Sequence, residues 1–139
     1  MNKRRAVIDT NVLYAGLYSA SGASYRVLRS IEQGRVTPLL STTLLFEYEE
    51  VLRRNHAVLG LSGLDIEDVL DGLCVRGECR RVHFLWRPRL ADPKDDHILE
   101  LAVAGGSADI VTHNARDFRE AASFGVRIIR PADLLGELK

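Results

Sequence analysis

The amino-acid sequence predicts an α/β protein in which a parallel central sheet lies between two layers of helices. Short apolar runs alternate along the chain with longer segments whose apolar residues recur at helical spacing. A helix between two strands makes a crossover, and repeated crossovers produce a parallel sheet covered on both faces. The sequence has 139 residues and no repeat, linker or low-complexity segment, so we expect one domain over residues 1–139.

The first half of the chain supplies the clearest helical patterns. Val27, Leu28 and Ile31 recur at helical spacing, and Gly34 is typical of a residue just beyond a helix. Asp65 is the predicted cap of a later helix. One face of that helix carries Ile66, Val69, Leu70 and Leu73. The other elements predicted here are a strand over 5–8, helices over 11–18 and 23–33, a strand over 37–40, and a helix that Ser41 or Thr42 caps and that ends near Asn55.

The second half of the chain contains the strongest helix start. Asp92 is a favourable N-cap residue, and Pro93 suits the first helical position. We expect that helix to end near Gly105 and Gly106. The other elements predicted here are a strand over 81–85, a loop over 86–90, strands over 109–112 and 126–129, a short helix over 115–122, and a closing helix over 131–138.

Composition argues against several classes of protein. Apolar runs fall short of the roughly 18 residues of a membrane span, and the N-terminus lacks the apolar core of a secretory signal. We therefore expect a cytoplasmic protein with no membrane partner. The formal net charge is zero, so overall charge does not announce nucleic-acid binding. Cys74 and Cys79 fit neither a zinc knuckle nor a redox motif, and they predict reduced, partly buried thiols.

Acidic and polar residues follow two of the predicted strands. Asp9 comes directly after the first strand, whereas Thr112 and Asn114 stand at the end of a later one, with Asp117 close behind. Ligands of open parallel sheets bind beyond the carboxyl ends of the strands, so these side chains can face one crevice. Taken alone, Asp9 also fits an N-cap, and Asn114 and Asp117 also fit turn or capping roles.

Glu47 lies at the edge of an apolar helix face. Leu44 and Val51 share its stripe at i−3 and i+4. The neighbouring Glu49 and Glu50 instead have arginines at i+4, which predicts ordinary surface ion pairs. Burying a bare carboxylate is costly, so Glu47 either meets a partner or a metal, or extends to water.

Three aspartates near the start of one helix have different predicted roles. Asp95 fits the third position of the first turn and is explained by capping, while Asp92 combines capping with a functional role. Asp96 is not needed for capping and shares a face with Leu99 and Val103, so we assign it to function. Hard cations such as Mg²⁺ prefer carboxylate oxygens, so the joint pattern of acids predicts the metal site of a nuclease.

The histidines add little to this prediction. His97 is rotated away from Asp96 on its helix, and His113 neighbours another predicted site residue. For both histidines a packed or solvated role is favoured over a ligand role. The sequence contains neither a G-x-x-x-x-G-K-[ST] nor a G-x-G-x-x-G loop, and it contains no G-x-S-x-G elbow.

In the order of its motifs, the sequence resembles the PIN domain family over essentially its whole length. The matching segments are V-I-D-T-N-V-L, S-T-T-L-L-F-E-Y-E-E-V-L, D-P-K-D-D-H-I-L-E-L-A and T-H-N-A-R-D-F. The resemblance is strongest to toxin components of prokaryotic toxin–antitoxin pairs, and VapC-type toxins are relatives. The sequence departs from the family pattern at Lys94 and His113.

The resemblance implies a sandwich with four or five parallel strands and a Mg²⁺- or Mn²⁺-dependent endoribonuclease. The catalytic and metal-binding acids would be Asp9, Glu47, Asp96 and Asp117. The supporting residues would be Asn11, Asp92, Thr112 and Asn114. The implied partners are RNA, a possible antitoxin protein and a second copy of the chain. Leu59, Leu61 and Leu64 are candidates for an apolar contact in such a homodimer.

Two other functions stay open at this point. A catalytically silent PIN-like module would bind RNA or a protein, although the four acids argue against it. A receiver-like phosphotransfer protein would need a second acid beside Asp9 and a lysine after a later strand. Asp9 has no adjacent acid, and Lys94 lies at a helix start, so this interpretation is the weakest of the three.

Overall fold

A five-stranded parallel sheet forms the middle layer of the protein, as seen in a computed structural model that describes residues 4–81 and 95–138. Every described pairing is parallel, and Ala6 lies opposite Pro38 on one side and Asp109 on the other. The strands, in the order β3-β2-β1-β4-β5, are β1 (Arg4–Ile8), β2 (Val36–Leu40), β3 (Glu78–Cys79), β4 (Asp109–Val111) and β5 (Ile128–Ile129). The predicted fold class is confirmed.

Helices connect these strands and cover both faces of the sheet. They are α1 (Thr10–Tyr18), α2 (Ala23–Glu32), α3 (Thr42–Arg54), α4 (His56–Leu59), α5 (Gly63–Arg76), α6 (Asp96–Ala104) and α7 (Pro131–Glu137), with a 3₁₀ segment over Ala115–Phe124. The strand order reverses at β1, so right-handed crossovers place α1 to α5 on one face and α6 with the 3₁₀ segment on the other. No helix in the described ranges is long and apolar enough to cross a membrane.

The core lies on both faces of the three central strands. Val7 on β1, Leu39 on β2 and Ile110 on β4 have no exposed surface. Helix residues such as Val12 and Leu99 are equally buried and pack against them. Burying each such side chain contributes roughly 1.5–3 kcal/mol, so this core fixes the strand ends from which the polar residues emerge.

Two helix starts differ from the sequence prediction. Asp65 is not the cap of α5. Ser62 is the N-cap, and its Oγ accepts from the Asp65 amide at 3.1 Å while Asp65 Oδ2 accepts from the Ser62 amide at 2.8 Å. Gly60 ends α4 in a left-handed conformation, so α5 begins earlier than predicted. Asp95 is the N-cap of α6 rather than a residue of its first turn.

The edge strand and the cysteines also require correction. The strand β3 lies at Glu78–Cys79, before the predicted 81–85, of which all but Arg81 falls outside the described residues. A Cβ on Gly77 would lie 2.7 Å from the Pro38 carbonyl oxygen, so glycine allows the chain to join β2 here. Cys74 and Cys79 are free as predicted, but they are exposed rather than partly buried.

The remaining predicted elements are found within a few residues of their expected ends. The segment after β4 is 3₁₀ rather than α-helical, and it is kinked at Phe118. The one-turn helix α4 was not predicted, because four residues are too few to show a helical period. The predicted loop over 86–90 and the helix start at Asp92 and Pro93 lie outside the described residues.

Candidate active site

The carboxyl ends of β1 and β4 define a crevice where the crossovers leave in opposite directions. Asp9 follows β1 at this point and is only 7% exposed. Its Oδ1 accepts a hydrogen bond from the Thr10 amide at 2.8 Å, which makes it the N-cap of α1. Its Oδ2 accepts from Thr112 Oγ1 at 2.7 Å, across the crevice. Asp9 is therefore both a helix cap and an acid of the crevice.

Thr112 forms hydrogen bonds with the polar residues near Asp9. Its hydroxyl oxygen accepts from the Asn114 amide at 3.0 Å and from Asn11 Nδ2 at 3.4 Å. Asn11 Oδ1 also accepts from the His113 amide at 3.4 Å. The structure therefore brings Asn11, Thr112 and the backbone of Asn114 close to Asp9.

Glu47 reaches the same crevice from α3. It is half-buried, and its Oε1 lies 2.9 Å from His97 Nε2. Its Oε2 accepts from the Thr10 hydroxyl. The adjacent Tyr48 donates its phenolic hydrogen to the Ile8 carbonyl at 2.5 Å, which ties α3 to the residue just before Asp9. This bond sets the position of Glu47 relative to the end of β1.

The neighbours of Glu47 on α3 behave as the sequence predicts. Glu49 pairs with Arg53 at 2.9 Å and Glu50 pairs with Arg54 at 3.0 Å, both on the helix surface. Exposed pairs of this kind contribute little to stability, typically about 0.3–0.5 kcal/mol. Glu47 is thus the one glutamate of these three that turns toward the crevice.

The two crevice acids have opposite pKa shifts. Burial raises the pKa of Asp9, and the negative charge of Glu47 adds to that increase, although hydrogen bonds from Thr112 and Thr10 oppose it. Burial would also raise the pKa of Glu47, but hydrogen bonds from His97 and Thr10 outweigh it and hold that pKa below its usual value. At neutral pH the fold therefore holds a negative charge on Glu47 beside the disfavoured charge of Asp9.

The other predicted acids lie on different elements of the fold. Asp96 begins α6 and is 1% exposed, and the next residue, His97, contacts Glu47. Asp117 is half-buried in the 3₁₀ segment, and no hydrogen bond or ion pair in the described part of the chain joins it to Asp9 or Glu47. Asp92 lies outside the described residues.

The donor chemistry of the crevice fits a hard divalent cation. Each carboxylate oxygen of Asp9 and Glu47 takes part in one hydrogen bond with a described residue. The remaining lone pairs of these oxygens are therefore available to a metal. Within residues 4–81 and 95–138, no three His, Cys, Asp or Glu side chains are grouped to hold an ion. Among the described residues, Asp9 and Glu47 would therefore supply only part of the coordination shell of such a cation.

Sequence reasoning missed three residues of this site. Thr10 and His97 hold the Glu47 carboxylate, and Tyr48 anchors its helix. His97 is packed, which agrees with the packed or solvated role that the sequence favoured, but its hydrogen bond with a site acid was not predicted. Thr10 and His97 directly follow Asp9 and Asp96, and that adjacency was the only available hint in the sequence.

Fold and site together define an α/β domain with an acidic crevice at the point where the strand order of its parallel sheet reverses. A family model described as PIN domain matches residues 5–116, and the chain belongs to the PIN domain family. The match includes Asp9, Glu47 and Asp96 and ends one residue before Asp117. No match is found among curated proteins. PIN domains are generally nucleases and typically use divalent metals, so this chain has a nuclease fold.

Proposed function

We propose that this protein is an endoribonuclease that hydrolyses RNA phosphodiester bonds with Mg²⁺ or Mn²⁺. The observation that carries the proposal is the Asp9–Glu47 pair in the crevice of a PIN domain. Asp9 is buried beside a second negative charge, and among the described residues neither acid pairs with arginine or lysine. A bound cation would relieve that repulsion, which is a reason for the fold to tolerate it.

The proposed roles of the side chains follow from their positions. The cation would be held by Asp9, Glu47, Asp96 and Asp117, with Asn11, Asp92, Thr112 and Asn114 in support. When bound, the cation supplies a Lewis acid that activates water and neutralises charge developing on the phosphate. Thr112 and the Thr10 amide hold the Asp9 carboxylate in one orientation, and Thr10 and His97 do the same for Glu47.

Hydrolysis by an activated water would leave a 5′-phosphate and a 3′-hydroxyl, and it would not need the 2′-hydroxyl of RNA. Arg116 and Arg119 are exposed on the 3₁₀ segment beside the crevice and are our candidates for holding flanking phosphates. Arginine suits this role because its planar guanidinium matches phosphate geometry.

The test is an RNA cleavage assay with single-stranded and structured RNA in Mg²⁺, Mn²⁺ or EDTA. Wild type, Asp9→Asn and Asp96→Asn are compared with Asp133→Asn, which removes an exposed aspartate from α7. We expect metal-dependent cleavage by wild type and Asp133→Asn, its loss in the two site variants, and products with 5′-phosphate ends. Cleavage that survives in EDTA, or in both site variants, would overturn the proposal.

A catalytically silent PIN module is the second candidate, because no complete group of metal ligands exists within the described ranges. Titration with Mn²⁺ separates the two. A silent module should bind Mn²⁺ poorly and still bind RNA, whereas the proposed nuclease should bind the metal and lose it in Asp9→Asn.

We also propose that the nuclease acts as the toxin of a type II toxin–antitoxin pair, on the strength of the sequence resemblance. Induced expression of wild type should stop growth of the host cell, and Asp9→Asn should not. Co-expression of a small protein encoded just upstream should restore growth. Unimpaired growth with an active nuclease would reject the toxin role and leave the enzymatic proposal intact.

A homodimer is part of the same proposal. Leu64 is 73% exposed at the start of α5, and the nearby Leu59 and Leu61 are partly buried against the core. An exposed leucine beside partly exposed ones is an apolar surface that a second copy would cover. Light scattering should give the mass of a dimer for wild type and of a monomer for Leu64→Glu. A monomeric wild type would reject it.

A further inference from the structure

Glu47 is held from two sides by the residues that directly follow two other acids. Thr10 follows Asp9 and donates to Glu47 Oε2. His97 follows Asp96 and meets Glu47 Oε1 through Nε2 at 2.9 Å. Thr10 and His97 stand in the first turns of α1 and α6. The direction of the Glu47 carboxylate therefore depends on three helices, and α3 alone does not determine it.

His97 is built into the structure more firmly than the acid it meets. Its side chain is 11% exposed, against 31% for Glu47. An ionised carboxylate only accepts hydrogen bonds, so Nε2 must carry a hydrogen. The other ring nitrogen, Nδ1, is buried and has no hydrogen-bond partner among the described residues. A hydrogen on Nδ1 would be an unsatisfied buried donor, so the neutral Nε2–H tautomer fits the site.

We propose that His97 is a positioning residue that fixes the Glu47 carboxylate in the crevice for a divalent cation. This inference rests on the proposed metal-dependent function. A glutamate that is half-exposed on a helix surface has several accessible rotamers, and the His97 hydrogen bond selects the one beside Asp9. Partners that orient a metal ligand typically change metal affinity by about 10–100-fold when they are removed.

The first test is Mn²⁺ binding by calorimetry, without RNA. His97→Phe keeps a ring of similar shape and removes the donor, whereas His97→Gln keeps an N–H group at comparable reach. His56→Phe makes the same change at an exposed histidine on α4 and serves as the matched control. We expect His97→Phe to lower Mn²⁺ affinity by about 10–100-fold, and His97→Gln and His56→Phe to bind like wild type.

A second measurement reads the hydrogen bond without metal. Nitrogen-15 spectra of the imidazole in the metal-free wild type should show the hydrogen on Nε2 of His97. A hydrogen found only on Nδ1 would overturn the proposal. Should His97→Phe fail to fold, His97→Asn, whose shorter amide cannot reach Glu47, must show the same loss of affinity.

The outcomes separate this inference from the proposed function. Tight Mn²⁺ binding by both wild type and His97→Phe would overturn the positioning role and leave the nuclease proposal standing. Equal losses in His97→Gln and His97→Phe would assign the effect to packing and also overturn it. Absence of Mn²⁺ binding by wild type would overturn both proposals together.

Discussion

Two aspartates at opposite ends of the sheet experience opposite electrostatic environments. Asp109 begins β4 and is paired with Arg4 and Arg127, each at 2.7 Å. Burial works against its ionisation, but these two guanidinium groups prevail and lower its pKa. Asp9 follows the neighbouring strand β1, accepts only from a backbone amide and a hydroxyl among described groups, and has a raised pKa.

The two ends of the sheet therefore differ in how their charges are compensated. At the amino end, Glu137 of α7 joins the same arginines at 2.8 and 2.9 Å, so the charges there balance. At the carboxyl end, hydrogen bonds orient Asp9 and Glu47 without cancelling their charge. Balanced charge favours stability of the protein on its own, whereas uncancelled charge favours binding of a cation.

The largest effect is expected when the aspartate at each end of the sheet is neutralised in turn and RNA cleavage is measured. Asp9→Asn should reduce RNA cleavage by about 100-fold or more, because it removes charge where the reaction needs it. Asp109→Asn should leave the rate per folded molecule near the wild-type value. Comparable cleavage rates for the two variants would contradict the proposal that only the carboxyl end of the sheet serves the reaction.

The same two variants should differ in the opposite sense in stability. Asp109 has a lowered pKa, so its contribution to folding is present above its ordinary pKa and is lost as pH falls through the folded value. Asp9 has a raised pKa, so its contribution is present below its ordinary pKa and is lost as pH rises through the folded value.

Urea unfolding of the metal-free variants from acidic to neutral pH measures this contrast. At neutral pH, Asp109→Asn should lose about 1 kcal/mol, a value reduced by the partial exposure of its arginines. Asp9→Asn should lose nothing and should gain on wild type as pH rises, since asparagine remains a good N-cap. A clear loss of stability in Asp9→Asn at neutral pH would contradict the unfavourable charge that we assign to Asp9.

A smaller effect should follow from loosening the link between α3 and β1. Tyr48→Phe removes the hydrogen bond to the Ile8 carbonyl and leaves a buried acceptor without its partner. We expect a loss of about 1–2 kcal/mol in unfolding free energy, with a weaker Mn²⁺ affinity because Glu47 is less well placed. Calorimetric Mn²⁺ titration checks the second part, and unchanged affinity would show that Tyr48 serves stability alone.

The smallest effects concern the candidate phosphate contacts. Arg116→Ala and Arg119→Ala should each raise KM a few-fold and lessen the salt dependence of RNA binding by roughly one unit of slope. Neither substitution should change Mn²⁺ affinity, because both arginines are exposed and neither belongs to the acids of the crevice. An unchanged salt slope in both variants would move the RNA path elsewhere on the surface.

Local patterns in the sequence were sufficient for most of the fold and for part of the site. Asp9 was identifiable because a buried strand ends in an acid, and Asp96 because it begins an apolar helix face. The two-residue strand β3 was missed because it is too short to show a period. Asp65 was misplaced because it belongs to a reciprocal cap with Ser62.

The contacts that join distant segments were not predictable in the same way. His97 and Glu47 are 50 positions apart, and Thr10 and Glu47 are 37 apart. Nothing in the helical spacing around His97 indicates which neighbouring helix its ring meets. These pairings depend on how α1, α3 and α6 pack, which a pattern within one segment does not contain.

The Arg4–Glu137 ion pair, 2.8 Å long, places the first strand beside the last helix at the amino end of the sheet. A short linker between these two elements would close the backbone there, far from the crevice. New termini could then be opened in the turn at Gly60, where even an added Cβ would meet no atom within 4 Å. Circular permutation at this turn should thus preserve the fold of the single chain.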